Sequence, residues 1–232
     1  MSDTTEIVLV RHGEAVINLR FLENLDGVCT GLTERGRGQA DLLGARLAER
    51  MAGPQPFDVL CHSPVRRAVE TTERVLAAIG PGGPPIEEVR DLRSADHGPV
   101  GLNPWDPATN RIGTIPPLAV DREPNPGAES WGSYLARSSA ALLETARRHA
   151  GQRVLVIAHA ETAGSALHAF LRLPPEASRL VYPLVTHTGL TGWRHFQPTL
   201  PGADPAGQWA LMYANDDTHL PVGDRIWSRA SQ

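Results

Sequence analysis

Ile7-Val8-Leu9-Val10-Arg11-His12-Gly13-Glu14 opens the regular part of the chain, and Arg153-Val154-Leu155-Val156-Ile157-Ala158-His159 repeats its plan. Each is an apolar run that ends on a histidine. Strands covered on both faces read as unbroken apolar runs rather than alternating ones. Two strands of an α/β sheet that each carry a histidine at the C-terminal edge converge where such sheets bind ligands. With Arg11 beside the first of them, the pattern points to a phosphoryl-transfer site built on a nucleophilic histidine.

Working outward, strand and helix alternate, which predicts a three-layer α/β/α arrangement around a mostly parallel sheet. Thr33 is placed to cap a helix with Leu43, Leu47 and Met51 inward. Phe57 to Cys61 reads as a short buried strand. Ser63-Pro64 has the cap-then-proline order that opens a helix, with Val65, Val69, Thr72, Leu76 and Ile79 on one face. Ile86 to Val89 is a further strand. A long helix over 129–149 turns Trp131, Leu135, Ser138, Leu142 and Ala146 inward, and a helix from Glu161 to about Leu171 follows the 153–158 strand. Two more strands are expected around Gly189–Phe196 and Gln208–Ala214. The stretch 91–128 breaks the rhythm with seven prolines, from Pro99 to Pro126. A structureless stretch this long in a compact domain is usually functional or disordered, and it is taken as a lid or specificity insertion within one domain spanning 1–232.

Composition narrows the chemistry. The net charge of -4 leaves no electrostatic footprint for nucleic acid or an anionic membrane. No apolar stretch approaches the ~20 residues that span a bilayer, and the first residues lack the features of a signal peptide. Cys29 and Cys61 form neither a disulfide framework nor a metal-ligand spacing, so a reduced, cytoplasmic protein is expected. All 22 basic residues are arginine. Without lysine there is no Walker P-loop and no Schiff-base chemistry. Phosphate has to be held by Arg, His and backbone N–H groups, and the planar fork of arginine suits its oxygens.

Four motifs then stand in order: Arg11-His12-Gly13-Glu14 with Asn18, Leu32-Thr33-Glu34-Arg35-Gly36, Ser63-Pro64-Val65-Arg66-Arg67-Ala68-Val69-Glu70-Thr71, and Ala158-His159. Together they resemble the histidine phosphatase superfamily, and its phosphoglycerate-mutase-like branch in particular. Gly127-Ala128-Glu129-Ser130-Trp131 resembles the segment before that branch's long helix. The resemblance covers roughly 5–90 and 125–219. It implies a phosphohistidine at His12 and phosphate binding by Arg11, Asn18, Arg67 and His159. The Arg-Ala-x-x-Thr order selects Arg67 over Arg66. Chemistry asks for the same set: a neutral imidazole is nucleophilic near pH 7, Arg11 and Arg67 disfavour its protonation, and the Ala160 N–H opens a helix toward an anion. Cys29-Thr30-Gly31 resembles the mutase's substrate loop, so Thr30 and Gly31 join the candidate substrate contacts. Glu14 is expected to orient the turn. His62, His149, His168 and His195 have no motif behind them, and Asp216-Asp217-Thr218-His219 is read as a tail rather than a metal site.

One position departs from that pattern. Ser94 stands where the branch carries the glutamate that protonates the leaving oxygen. Asp96, His97 and Glu161 are the candidates to replace it. Glu161 has a purely structural alternative as an acidic residue in a first helical turn. The expected activity is metal-independent hydrolysis of a small phosphomonoester with no cofactor, and mutase activity is the weaker reading. The rivals are a phosphate-binding protein that has lost turnover and a repurposed enzyme of specialised metabolism. The expected partners are the small-molecule phosphomonoester and, at most, a second copy in a homodimer.

Overall fold

The computed structural model describes residues 4–19, 30–96, 120–124, 126–198, 202 and 206–225. Six strands form one sheet: β1 (Thr5–Arg11), β2 (Val59–His62), β3 (Ile86–Glu88), β4 (Arg153–Ala158), β5 (Leu190–Phe196) and β6 (Gln208–Asp216). Their order is β3-β2-β4-β1-β5-β6. The first four are mutually parallel, β5 runs antiparallel to β1, and β6 antiparallel to β5. The sheet is therefore mixed, with its parallel part at the two histidine-bearing strands.

The helices are α1 (Val16–Leu19), α2 (Glu34–Met51), α3 (Arg66–Ile79), α4 (Trp131–Arg148) and α5 (Ala160–Phe170). Among the described residues no helix is long and apolar enough to cross a membrane. The side chains of β1 alternate between two cores, as a period of two demands. Ile7 and Leu9 pack with Val154, Val156, Leu142 of α4, and Ala166 and Phe170 of α5. Val8 and Val10 pack with Leu155, Ile157, Leu43 and Leu47 of α2, and Ala68 and Val75 of α3. These are the three layers.

The caps explain the helix starts. Thr33 accepts from the Gly36 N–H (2.9 Å) at the head of α2, and Ser130 accepts from Ser133 (3.2 Å) at the head of α4. The expected start of α3 is corrected. The helix begins at Arg66 after Val65, which makes no side-chain cap bond; the Ser63 hydroxyl accepts from the Val65 N–H (3.3 Å), before the first helical turn, and also bonds His159 (2.8 Å). Its buried face is also rotated from the expected stripe. Ala68, Thr71, Thr72 and Val75 are buried, and Leu76 and Ile79 lie at the margin. Most of the expected lid, 97–119 and 125, lies outside the described residues, as do residues 20–29.

Register brings the site together. Val10 pairs with Ile157 and Arg11 with Ala158, while His62 pairs with Ile157 on the other side of β4. The His12 N–H donates to the Ala158 carbonyl (2.9 Å) and the Ser63 N–H to that of Ile157 (3.0 Å). Three parallel strands thus end level, and the residues just past their ends are His12, His159 and Ser63.

Candidate active site

His12 is 3% exposed and its two ring nitrogens have distinct partners. Nδ1 lies 2.7 Å from the Gly13 carbonyl, and Nε2 lies 3.0 Å from Nε of Arg67, which donates to it. A carbonyl only accepts and a guanidinium only donates, so the proton sits on Nδ1 and the lone pair on Nε2. Burial, then Arg67, His159, His187 and Arg11, push the His12 pKa well below 6.5. The ring is thereby kept neutral with an available lone pair.

The turn that follows is tied from two sides. The Gly13 N–H donates to Thr71 Oγ1 (3.1 Å), which itself donates to the Arg67 carbonyl one turn earlier in α3. The nucleophile and the arginine that holds it are linked through one threonine. A side chain at Gly13 would place its Cβ 2.5 Å from the Gly36 carbonyl oxygen, so the crossing with α2 needs glycine. Glu14 accepts from Thr33 (2.9 Å) and Arg35 (3.3 Å), the orienting role expected of it.

Arg11 is buried, with Nη1 on the Val185 carbonyl (2.8 Å) and Nε without a partner. Burial lowers its pKa to about 10, so it stays cationic at neutral pH. The His159 ring lies 5.3 Å from that of His12, edge to face. Burial, then Arg67, lowers the His159 pKa to about 3. Ala160 opens α5 directly behind it.

Glu161 is buried in the first turn of α5 and accepts from the Ser94 hydroxyl at 2.6 Å. The serine at the usual glutamate position is thus bonded to a carboxylate supplied by another element. Arg137 holds that loop, donating to the carbonyls of Asp91 (2.7 Å), Arg93 (3.1 Å) and Ser94 (3.4 Å). Burial acts to raise the Glu161 pKa, but the Ser94 hydroxyl and the Arg67 guanidinium act the other way, and the group is held below the usual carboxylate range.

The remaining candidates are placed differently. Asp96 is exposed, with its backbone carbonyl on the Glu129 N–H (2.8 Å), and His97 lies outside the described residues. The Asn18 side chain folds back to accept from the Ala15 N–H (2.9 Å), the work of a turn residue. Thr30 is exposed, whereas Gly31 is buried at φ +99°. A Cβ there would collide with Glu70, whose carboxylate also accepts from the Leu32 N–H (2.9 Å).

Three residues of the site were not found from sequence: Ser63, His187 and Tyr182. His187 lies with its ring 5.6 Å from that of His12, and the Tyr182 hydroxyl is buried without a partner. The tail Asp216–His219 serves this region. Asp216 pairs with Arg46, Asp217 accepts from Thr186 (2.8 Å), and His219 bonds Thr188 (3.0 Å). Among the described residues one trio has metal-ligating chemistry, Cys61, Glu87 and His149, with ligand atoms within 4.8 Å of one another. Glu87 there is already paired with Arg148 and His149, at 3.3 Å each. Burial pushes the Cys61 thiol up to about 12, so an ion pair beside a neutral thiol accounts for the trio.

The family model of the histidine phosphatase superfamily (branch 1) matches residues 7–198. The chain belongs to this superfamily. It falls in the phosphoglycerate-mutase-like branch. A 2,3-bisphosphoglycerate-dependent phosphoglycerate mutase of Brucella melitensis is 31% identical over 183 residues, 73% of this chain and 83% of that protein. Two solved structures share the fold of this superfamily member. A phosphoglycerate mutase from Bacillus anthracis has a TM-score of 0.69 at 20% identity, over 94% of this chain and 96% of that one. A mycobacterial glucosyl-3-phosphoglycerate phosphatase has 0.66 at 20% identity, over 92% and 99%.

Proposed function

We propose that the protein hydrolyses a small phosphomonoester without a metal, through a phosphohistidine at His12 Nε2. The observation that carries this reading is the pair of bonds that puts the His12 proton on Nδ1 and aims Arg67 at Nε2. Charge in a phosphoryl-transfer transition state spreads over the equatorial oxygens, so catalysis is mainly positioning and electrostatic stabilisation. Arg11, Arg67 and His159 supply the donors. Arg67 moves from the nitrogen to a phosphoryl oxygen as the P–N bond forms. The P–O bond to the alcohol breaks, Glu161 delivers the proton to the leaving oxygen, and it then takes one from the water that cleaves the phosphohistidine. Asp96 is the rival acid. Its exposure, against the burial of Glu161 and its bond from Ser94, favours Glu161.

Hydrolysis is preferred to mutase activity because a mutase must hold a second anionic group. Among the described residues, Arg35 is engaged by Glu14 and Asp224, Arg66 by Glu73, and Arg137 by Glu129. Arg11 and Arg67 together match one phosphoryl group. The Ser94 departure is what makes a binding protein without turnover a rival, and the carboxylate bonded to Ser94 weakens that reading.

Rapid acid-free quenching during turnover, with a chelator present throughout, should trap acid-labile phosphate on His12. His12→Ala should lose activity by several orders of magnitude while keeping its fold. Full activity in that variant, or none with the chelator, would overturn the proposal.

A further inference from the structure

We propose that His187 contacts the substrate and reads a hydroxyl near the ester oxygen, so that phosphomonoesters of sugars or polyols are preferred to those of bare alkyl alcohols. The inference rests on the hydrolase reading above and adds the substrate class to it.

The ring is fixed by the nucleophile's own backbone. His187 Nδ1 lies 3.1 Å from the His12 carbonyl oxygen, which only accepts, so Nδ1 carries the proton and Nε2 the lone pair. The two rings stand 5.6 Å apart, tilted by 49°. Among the described residues Nε2 has no hydrogen-bond partner.

The loop carrying this ring is held against strain. Thr188 is β-branched yet sits at φ +61°, a backbone region that costs such residues energy and persists only when the surroundings enforce it. Here the Thr188 N–H donates to the Arg11 carbonyl (2.9 Å). Its hydroxyl donates to the His187 carbonyl (2.7 Å) and accepts from His219 Nε2 (3.0 Å). Asn215 adds an acceptor for the Thr186 N–H (2.7 Å).

What meets Nε2 follows from complementarity. Arg11 and Arg67 offer only donors, suited to phosphoryl oxygens, whereas a neutral imidazole nitrogen offers an acceptor. Once the proton of the bound ester resides on Glu161, the phosphoryl group is a dianion with no donor, so the donor must come from the organic part. An ammonium is disfavoured, because Arg11, Arg35 and Arg67 all act on this ring as like charges. A hydroxyl remains.

Glycerol 1-phosphate and 1-propyl phosphate differ only in their hydroxyls and separate the readings. His187→Asn keeps an N–H for the His12 carbonyl but loses the Nε2 acceptor, and His187→Leu loses both. Binding is measured calorimetrically in the His12→Ala background, and kcat/KM in the otherwise wild-type enzyme. His187→Asn should weaken glycerol 1-phosphate about tenfold and leave propyl phosphate within about twofold. Equal losses on both esters would make His187 a phosphate contact or a positioning residue, and overturn the proposal. So would equal affinity of the parent for the two esters, or tighter binding of phosphoethanolamine than of glycerol 1-phosphate. If neither ester is hydrolysed by wild type while the binding difference holds, the hydrolase reading fails and the hydroxyl reading stands.

Discussion

At the scale of the residue, the reaction turns on Glu161 and on where its proton originates. The carboxyl is held below the usual carboxylate range by the Ser94 hydroxyl and Arg67, so it is ionised before substrate arrives. A phosphomonoester bound beside it adds negative charge, which favours the protonated carboxyl. The proton therefore enters with the substrate monoanion and moves to Glu161 in the complex. Because the second phosphate pKa is about 6, kcat/KM should fall roughly tenfold per pH unit above that value; a profile flat from pH 5 to 8 would argue for another acid. Leaving groups provide a separate check. A nitrophenolate departs unaided and an alkoxide does not, so Glu161→Gln should barely slow an aryl phosphate yet cost roughly 10²–10⁴-fold on an alkyl one. Asp96→Asn should show no such split. Equal slowing of both substrates by Glu161→Gln would remove it from the role.

At the scale of the element, α3 couples the phosphate-binding arginine to the nucleophile's turn through Thr71. Thr71→Val preserves shape but leaves the buried Gly13 N–H without an acceptor, which should cost about 1–3 kcal/mol of stability. The loosened turn should lower kcat more than it raises KM. Urea denaturation together with steady-state kinetics would measure both, and an unchanged midpoint would mean that water replaces the hydroxyl. The same helix shows what could be read from sequence. β1 and β4 were legible because strands buried on both faces carry unbroken apolar runs, and Arg67 because its motif is local. The start of α3 was misplaced because Ser63-Pro64 has capping chemistry, whereas the Ser63 hydroxyl is shared between the Val65 N–H and His159, 96 residues away. His187 was invisible for the same reason. Its loop has no periodicity, and its partner is a carbonyl 175 residues earlier. The exchange of glutamate between the Ser94 loop and α5 was only half legible: sequence offered Glu161 as one candidate, and distance alone made it the partner of Ser94.

At the scale of the molecule, three histidines, His12 and His159 buried and His187 partly so, are kept neutral at one sheet edge. Burial, helped by nearby arginines, depresses the pKa values of His12, His159 and His187 below 6.5 in the folded state. Between those depressed values and 6.5 the unfolded chain binds protons that the folded chain does not, so stability rises with pH across that window and levels off above it. As pH falls from 7 to 5, each histidine should withdraw up to about 1.4 kcal/mol per pH unit. For His159 the loss continues toward its folded value of about 3. Thermal melts at several pH values should show the slope, and His159→Gln should flatten it by about one residue's share. A melting temperature constant from pH 7 to 5 would contradict the burial of these rings.

The pairing of β1 between β4 and β5 has a further consequence for synthesis on the ribosome. β1 is made before the other strands of the sheet, yet its neighbour β4 begins only at Arg153 and its neighbour β5 at Leu190, and the Arg11–Val185 bond alone spans 174 residues. Until those strands are made, Ile7 to Val10 is an apolar segment with both hydrogen-bonding edges open, the kind of exposure that invites intermolecular pairing. Competence to bind phosphate is therefore gained only when β4 and β5 close on β1.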